Sequence, residues 1–470
     1  MHSYDSQVFD RLPAIGRARL RRLSPCGILV LLSGIPGTAQ TLATPQTQRP
    51  VRPAKQLRVE SVSAYFEYSS AALPVSGGVI PASGRLGADA TGGANVRIGW
   101  LKSTPRSTYS FAYTSAITRR VQYSEWNSWN HTVALAAMHK LAPRWTLGLS
   151  ATGDVLTQEQ SLFAATALSN TASVQATFDE LSSGILASNY TNPQLASVLI
   201  GPSLSESPVR NLLYGQRLLT SGAQAYLSYS HSPRLSIKFG VGANRMQPLS
   251  TGGSSGNSYL ISNTTSGNAN LSVSYSLSPR TQLGGLVSTS RNTSPLQEVY
   301  VTTSLATLGR TMGRRWFLQL QGGAGVAEPT RASIYLQSRV VVPAGGGSLG
   351  FKTFSHTFLG SVSRGASDQF GLGASTNTSV SASWIWDRPT RPWWIESVFS
   401  WQHLDGKSFP STTGWRSSTG LGRRIGAHFA ILTQYAYLEY KGQLRADRYE
   451  GSQSAVRVSA VWYPRPSLSR

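Results

Sequence analysis

The chain is short of cysteine, of charge and of long apolar runs, and each shortage excludes something. Its one cysteine, Cys26, lies ahead of the apolar N-terminal core, so the rest of the chain carries neither a disulfide framework nor a thiolate metal site. Charged residues make up 13% of the sequence, about half the usual share, too few for the surface of a soluble protein this long. Beyond the N-terminus no stretch approaches the roughly 18 apolar residues of a membrane-spanning helix. The 7 His and 20 carboxylates show no metal-ligand spacing, and neither a nucleophile elbow nor a phosphate loop is present. The expectation is no enzyme, no metal and no cofactor. Gly322, Gly323 and Gly325 sit in a strand pattern, where glycine relieves crowding in a curved sheet. Gly371 and Gly373 lead into no helix and are not a dinucleotide fingerprint.

The N-terminus reads as an export signal. Arg17, Arg19, Arg21 and Arg22 precede an apolar core from Gly27 to Ile35, and Gly37 and Ala39 occupy the small positions read by a signal peptidase. Cleavage is expected after Ala39, with 40–56 left as a periplasmic segment. The basic stretch is long, which leaves room for a true start downstream of Met1. The signal holds five Arg against Asp5 and Asp10, so +20 of the net +23 stays with the exported part. An exported basic chain has anionic lipid or anionic solutes as partners rather than nucleic acid.

What is abundant is alternation. Leu271, Val273, Tyr275 and Leu277 share one face of a strand, and Asn270, Ser272, Ser274, Ser276 and Ser278 share the other. The same period recurs in Trp145, Leu147, Leu149 and Ala151, in Leu235, Ile237, Phe239 and Val241, and in Val380, Ala382, Trp384 and Trp386. Four turns repeat a small residue, Pro and Arg: Thr104-Pro105-Arg106, Ala142-Pro143-Arg144, Ser232-Pro233-Arg234 and Ser278-Pro279-Arg280. Proline cannot donate to a ladder, so each ends one strand and begins the next. Arg310–Arg315, Asp387–Arg391 and Gly422–Gly426 continue the series, with longer polar connections between them.

Short connections alternating with long ones predict a closed antiparallel transmembrane β-barrel over 57–463, all-β, with a tail at 464–470. Eighteen strands are expected, centred near 62, 97, 111, 135, 148, 226, 239, 273, 286, 303, 319, 350, 359, 381, 398, 418, 432 and 458. If the segment Lys352–His356 belongs to a loop, the number falls to 16. Trp100, Trp145, Trp316, Trp386, Trp393 and Trp394 beside the short turns suit a girdle at the headgroup level, as do His139 and His428. Arg106, Arg144, Arg280, Arg314 and Arg424 are placed to meet anionic headgroups.

On these hairpins the chain resembles Gram-negative outer-membrane β-barrels of the porin type, and more narrowly β-barrel porins of acidobacterial genomes, some of which accompany exopolysaccharide systems. The resemblance rests on pattern over residues 57–463, not on a diagnostic motif. Such barrels end on a C-terminal Phe; here Trp462 and Tyr463 stand in for it. The resemblance also implies that the third external connection, about 154–219, folds inward as a constriction, with Asp179, Glu180, Arg210 and Arg217 as its charged residues. A short helix over Thr171–Leu181 fits the apolar spacing of Val174, Phe178 and Leu181. By parity Arg97, Lys238, Glu396, Arg416 and Arg457 face inward, because Arg or Lys at mid-membrane on the lipid face costs about 2–4 kcal/mol. Tyr226 and Trp394 are candidate lumen aromatics. The expected function is an outer-membrane pore passing small polar solutes with a mild anion preference. The alternative is a barrel serving exopolysaccharide export or surface binding. Oligomers are compatible with both.

Overall fold

A computed structural model describes residues 57–70, 87–157, 217–249, 263–331, 339–368, 374–405, 411–444 and 447–464, apart from 123, 125, 126, 296, 314 and 389. These residues form eighteen strands: β1 Arg58–Ser69, β2 Asp89–Ser103, β3 Ser107–Arg120, β4 Ser128–Ala142, β5 Trp145–Thr157, β6 Arg217–Ser230, β7 Leu235–Leu249, β8 Thr264–Ser278 and β9 Thr281–Thr293. The second half adds β10 Glu298–Met312, β11 Trp316–Arg331, β12 Val340–Lys352, β13 His356–Asp368, β14 Ala374–Asp387, β15 Trp393–Asp405, β16 Thr412–Ile425, β17 Phe429–Leu444 and β18 Asp447–Trp462. Every strand pairs antiparallel with its sequence neighbours, and β1 closes the ring on β18 from Val62↔Trp462 to Ser69↔Ala455. All eighteen expected centres fall inside strands. Lys352–His356 is a hairpin between β12 and β13, so the 16-strand alternative is set aside.

The barrel is apolar outside and polar inside. On β8 the outward Leu271, Val273 and Tyr275 are 43%, 38% and 43% exposed, whereas the inward Ser272 and Ser274 are 2% and 1% exposed. A soluble protein has the opposite order, and lipid is the solvent that makes this one favourable. Trp145, Trp316 and Trp393 project outward near the short turns. Trp394 does not: successive residues of a strand face opposite ways, so it points inward and packs with Ala430, Leu432 and Val461. The girdle assignment of Trp394 is therefore corrected, and its lumen assignment kept.

The repeated turn has a mechanism. The Thr104 hydroxyl accepts from the Ser107 N–H at 2.9 Å, Ser232 from the Leu235 N–H at 3.0 Å, and Ser278 from the Arg280 N–H at 3.2 Å. Thr353 does the same for the His356 N–H at 2.9 Å. The small residue thus supplies the acceptor that the turn backbone lacks. At two other turns with no such hydroxyl, Gly313 and Gly426 take positive φ, 67° and 65°. The alternation of short and long connections is imperfect. β9 and β10 are joined tightly on the side expected to carry long loops: the Ser294 N–H donates to the Gln297 carbonyl at 2.8 Å, which closes the turn without a longer excursion.

One corner of the wall is built of glycine. A Cβ at Gly323 would overlap the Ser304 carbonyl oxygen, and one at Gly346 the Val362 carbonyl oxygen, so neighbouring backbones approach there as only glycine permits. The β12–β13 ladder runs only from Gly345↔Arg364 to Lys352↔Thr357, while β12 stays paired to β11 as far as Val340↔Ala327. Beyond that point Ala366 of β13 packs against Val299, Val301 and Ala327. A Cβ at Gly325 would lie 3.4 Å from the Ala366 nitrogen and 3.5 Å from the Ala344 Cβ. The wall turns sharply, as the glycines of this segment led one to expect.

The signal at 1–39, the segment 40–56, the helix over Thr171–Leu181, Gly371 and Gly373, Arg314 and the tail beyond 464 lie outside the described residues.

Candidate functional site

The inner face is the candidate site, and alternation alone puts each side chain on it. Arg97, Lys238, Glu396, Arg416 and Arg457 all occupy inward positions of β2, β7, β15, β16 and β18. Their surroundings differ. Arg97 Nε lies 2.6 Å from Glu60 Oε2 on β1, and Arg457 Nε donates to Glu67 Oε2 at 3.0 Å. Glu396 accepts from Gln434 Nε2 at 2.7 Å. Lys238 makes no ion pair among the described residues, and its Nζ stands 4.0 Å from the centroid of the Tyr226 ring. Arg416 is 6% exposed, packed into the wall of β16.

Sequence reasoning missed the carboxylates that answer these cations. Arg120 Nη1 donates to Asp89 Oδ2 at 2.9 Å, and Arg424 holds Asp387 with two bonds of 2.9 and 2.6 Å. Arg424 was expected at the headgroups. It lies on the inward parity, and a bidentate pair with Asp387 holds it there instead. Arg106, Arg144 and Arg280 are exposed at the short turns, as expected. Asp179, Glu180 and Arg210 lie outside the described residues, and Arg217 is the first residue of β6, part of the wall rather than of a loop.

A second pattern recurs down the lumen. Tyr65 lies opposite Gly93, Tyr226 opposite Gly148, Phe317 opposite Gly350 and Trp394 opposite Gly422. In all four a Cβ on the glycine would overlap the aromatic ring, so each ring lies flat on the wall over its partner. Three carry a cation: Arg457 at 4.4 Å from the Tyr65 centroid, Lys238 over Tyr226, and Arg424 at 5.2 Å from Trp394. Spacing in the sequence does not show these pairs, because they depend on register between strands.

Charge is unevenly distributed around the ring. Among the described residues the inward ion pairs fall on β14–β18 and β1–β3, whereas the inner faces of β8–β11 carry no charged side chain, and their one ion pair, Arg291 with Glu298 at 2.7 Å, lies on the outer face. The six described His all sit at the two rims on the outer surface. His131 bonds the Tyr113 hydroxyl at 2.9 Å, His403 the Thr413 hydroxyl at 2.7 Å, and His139 the Ser107 hydroxyl at 2.6 Å. No group of three or more His, Cys, Asp or Glu among the described residues is placed to hold a metal ion.

No protein-family model matches the chain, and no curated protein matches it. Among solved structures it is similar to OccAB4 of Acinetobacter baumannii, at 10% identity over 88% of this chain and 99% of that one, with a TM-score of 0.41. It is also similar to OccK2 (OpdF) of Pseudomonas aeruginosa, at 8% identity over 87% and 98%, with a TM-score of 0.44. A third match is OpdK of the same organism, solved with vanillate, at 12% identity over 87% and 98%, with a TM-score of 0.43. Similarity this low says nothing about what passes through this barrel.

Proposed function

We propose that the protein is a porin-type pore of a Gram-negative outer membrane that passes small polar solutes, with a weak bias toward anions. The observation that carries the reading is the inverted barrel itself: a closed ring of strands with apolar side chains outside and Ser, Asn, Gln and ion pairs inside. Backbone groups satisfied within a closed sheet suit a bilayer, and a polar inner wall suits water. The expected signal peptide fits export to that membrane, and the hairpin resemblance to acidobacterial porins belongs to the same reading.

The bias is weak because pairing cancels most inward cations. Arg97, Arg120, Arg424 and Arg457 each face a carboxylate within 3.0 Å. Lys238 has no such partner, but the inward Glu396 meets an amide, Gln434, rather than a cation, so unmatched charge of both signs keeps the bias weak and the net positive charge of the chain sets its sign. Planar-bilayer recording in a potassium chloride gradient tests both parts. Stepwise conductance with a small reversal potential of anion-selective sign is expected. A folded barrel that stays silent, or one that selects cations, overturns the reading.

A further inference from the structure

Neighbouring strands in a sheet lie about 4.8 Å apart, so β11 and β13, with β12 between them, belong about 9.6 Å apart. At the end of the barrel away from the Pro-Arg turns they do not keep that distance. A Cβ on Gly325 of β11 would lie 3.4 Å from both the Cβ and the nitrogen of Ala366 on β13. The two strands touch there, with β12 no longer between them.

They touch on the inner side of the wall. Gly325 has the inward parity of Phe317 and Gln319 on β11, which are 0% and 3% exposed. Ala366 has the outward parity of Phe358 and Val362 on β13, which are 37% and 47% exposed. The outer side of β13 therefore rests on the inner side of β11 and, through Val299 and Val301, of β10. Beyond Gly345↔Arg364 β13 has left the wall and lies inside it. It stays paired to β14 as far as Asp368↔Ala374, so the inner layer is a strand pair and not a frayed end.

The sequence is prepared for this second layer. Inward positions are polar around most of the ring, yet at this corner they are Val299, Val301, Ala327, Val342 and Ala344, all at most 8% exposed. Pro343, with no N–H for a ladder, stands in the stretch of β12 that β13 leaves. The far side of the layer is open. Gly365, beside Ala366 and facing the other way, would have nothing within 4 Å of a Cβ. Stacked sheets take up to about 10 Å of depth, and the inner layer subtracts that depth from one side of the lumen. We infer that the end of β13 is a constriction built from the wall, which narrows the pore and limits the cross-section of the polar solutes that pass. This rests on the pore reading and names what selects by size within it.

Two sets of variants in the full chain carrying Cys26→Ser test the constriction. In the first, Gly325→Cys with Ala366→Cys brings two Cβ atoms to about disulfide distance, and oxidation should remove both free thiols without forming dimers. In the second, conductance is recorded before and after benzyl methanethiosulfonate, which is bulky and uncharged, reacts with Gly365→Cys or Gly222→Cys. Gly222 faces the lumen from β6 in the same half of the barrel, and a Cβ there meets only ordinary contacts from 3.6 Å. Modification should lower the conductance at least twofold in Gly365→Cys and by less than a tenth in Gly222→Cys. Only the modified Gly365→Cys should shut out polyethylene glycols that the unmodified pore admits. Mobility that changes on boiling reports that each variant is folded. A folded double variant that keeps its free thiols, or equal losses of conductance at the two glycines, overturns the constriction. A barrel that conducts while modified Gly365→Cys loses nothing removes the constriction and spares the pore. A wild-type barrel that never conducts removes the pore, and the constriction with it, even where the two thiols bond.

Discussion

Val273→Arg asks the inverted barrel to contradict itself. Val273 points outward and is 38% exposed, five residues from the end of β8 at Ser278. Five residues span about 17 Å of strand, and a tilt of about 40° reduces that to about 13 Å along the membrane normal. That is the middle of an apolar band about 25 Å tall, where an outward Arg costs about 2–4 kcal/mol. The matching control is Gln224→Arg, on the inner face of β6 and partly exposed. There the guanidinium meets water, and the cost should stay near the ±0.5 kcal/mol of an ordinary surface change. The assay is reversible urea unfolding in lipid vesicles, followed by tryptophan fluorescence. Val273→Arg should lower the folding equilibrium roughly 30- to 700-fold, at 1.4 kcal/mol for each factor of ten, with Gln224→Arg close to wild type. If the two variants cost the same, the assignment of faces is wrong.

Three further outcomes follow from particular contacts. Gly323→Val should leave a chain whose mobility no longer changes on boiling, because its Cβ overlaps the Ser304 carbonyl; Gly322→Ala, which meets nothing within 4 Å, should behave as wild type. Arg457→Met strands Glu67 in the wall, where both side chains are 9% exposed, and should cost about 3–5 kcal/mol in the same unfolding assay. Adding Glu67→Gln should recover much of that loss, and a double variant no better than the single one would count against the pair. Trp394→Ala empties a buried site and should cost about 3–5 kcal/mol, whereas Trp393→Ala on the outer rim should cost clearly less; equal costs would return Trp394 to the girdle.

Strand positions were legible because a period of two, held over a dozen residues and ended by Ser-Pro-Arg or Thr-Pro-Arg, has few other physical readings. The facing of Leu271, Val273 and Tyr275 followed from the same period, as did the inward positions of Arg97, Lys238 and Arg457. What a side chain meets once inside was not legible. Asp387 takes Arg424, Glu67 takes Arg457 and Gly422 lies under Trp394 because of register between strands, and one strand's sequence says nothing about its neighbour's offset. The glycine corner was half legible: Gly322–Gly325 announced curvature, but not that β12 and β13 would part above Gly345.

The seam between β1 and β18 governs how such a protein comes into being. Glu67 and Arg457 bridge it from positions 390 residues apart. No shorter piece of the chain closes the ring, so until the last strand arrives the growing sheet has two bare edges and an apolar flank with no lipid against it. Contacts of this separation form late and slowly. The chain therefore has to be carried to its membrane unclosed and shielded, and the final strand acts as the latch: a barrel missing β18 is a sheet primed to join another copy of itself.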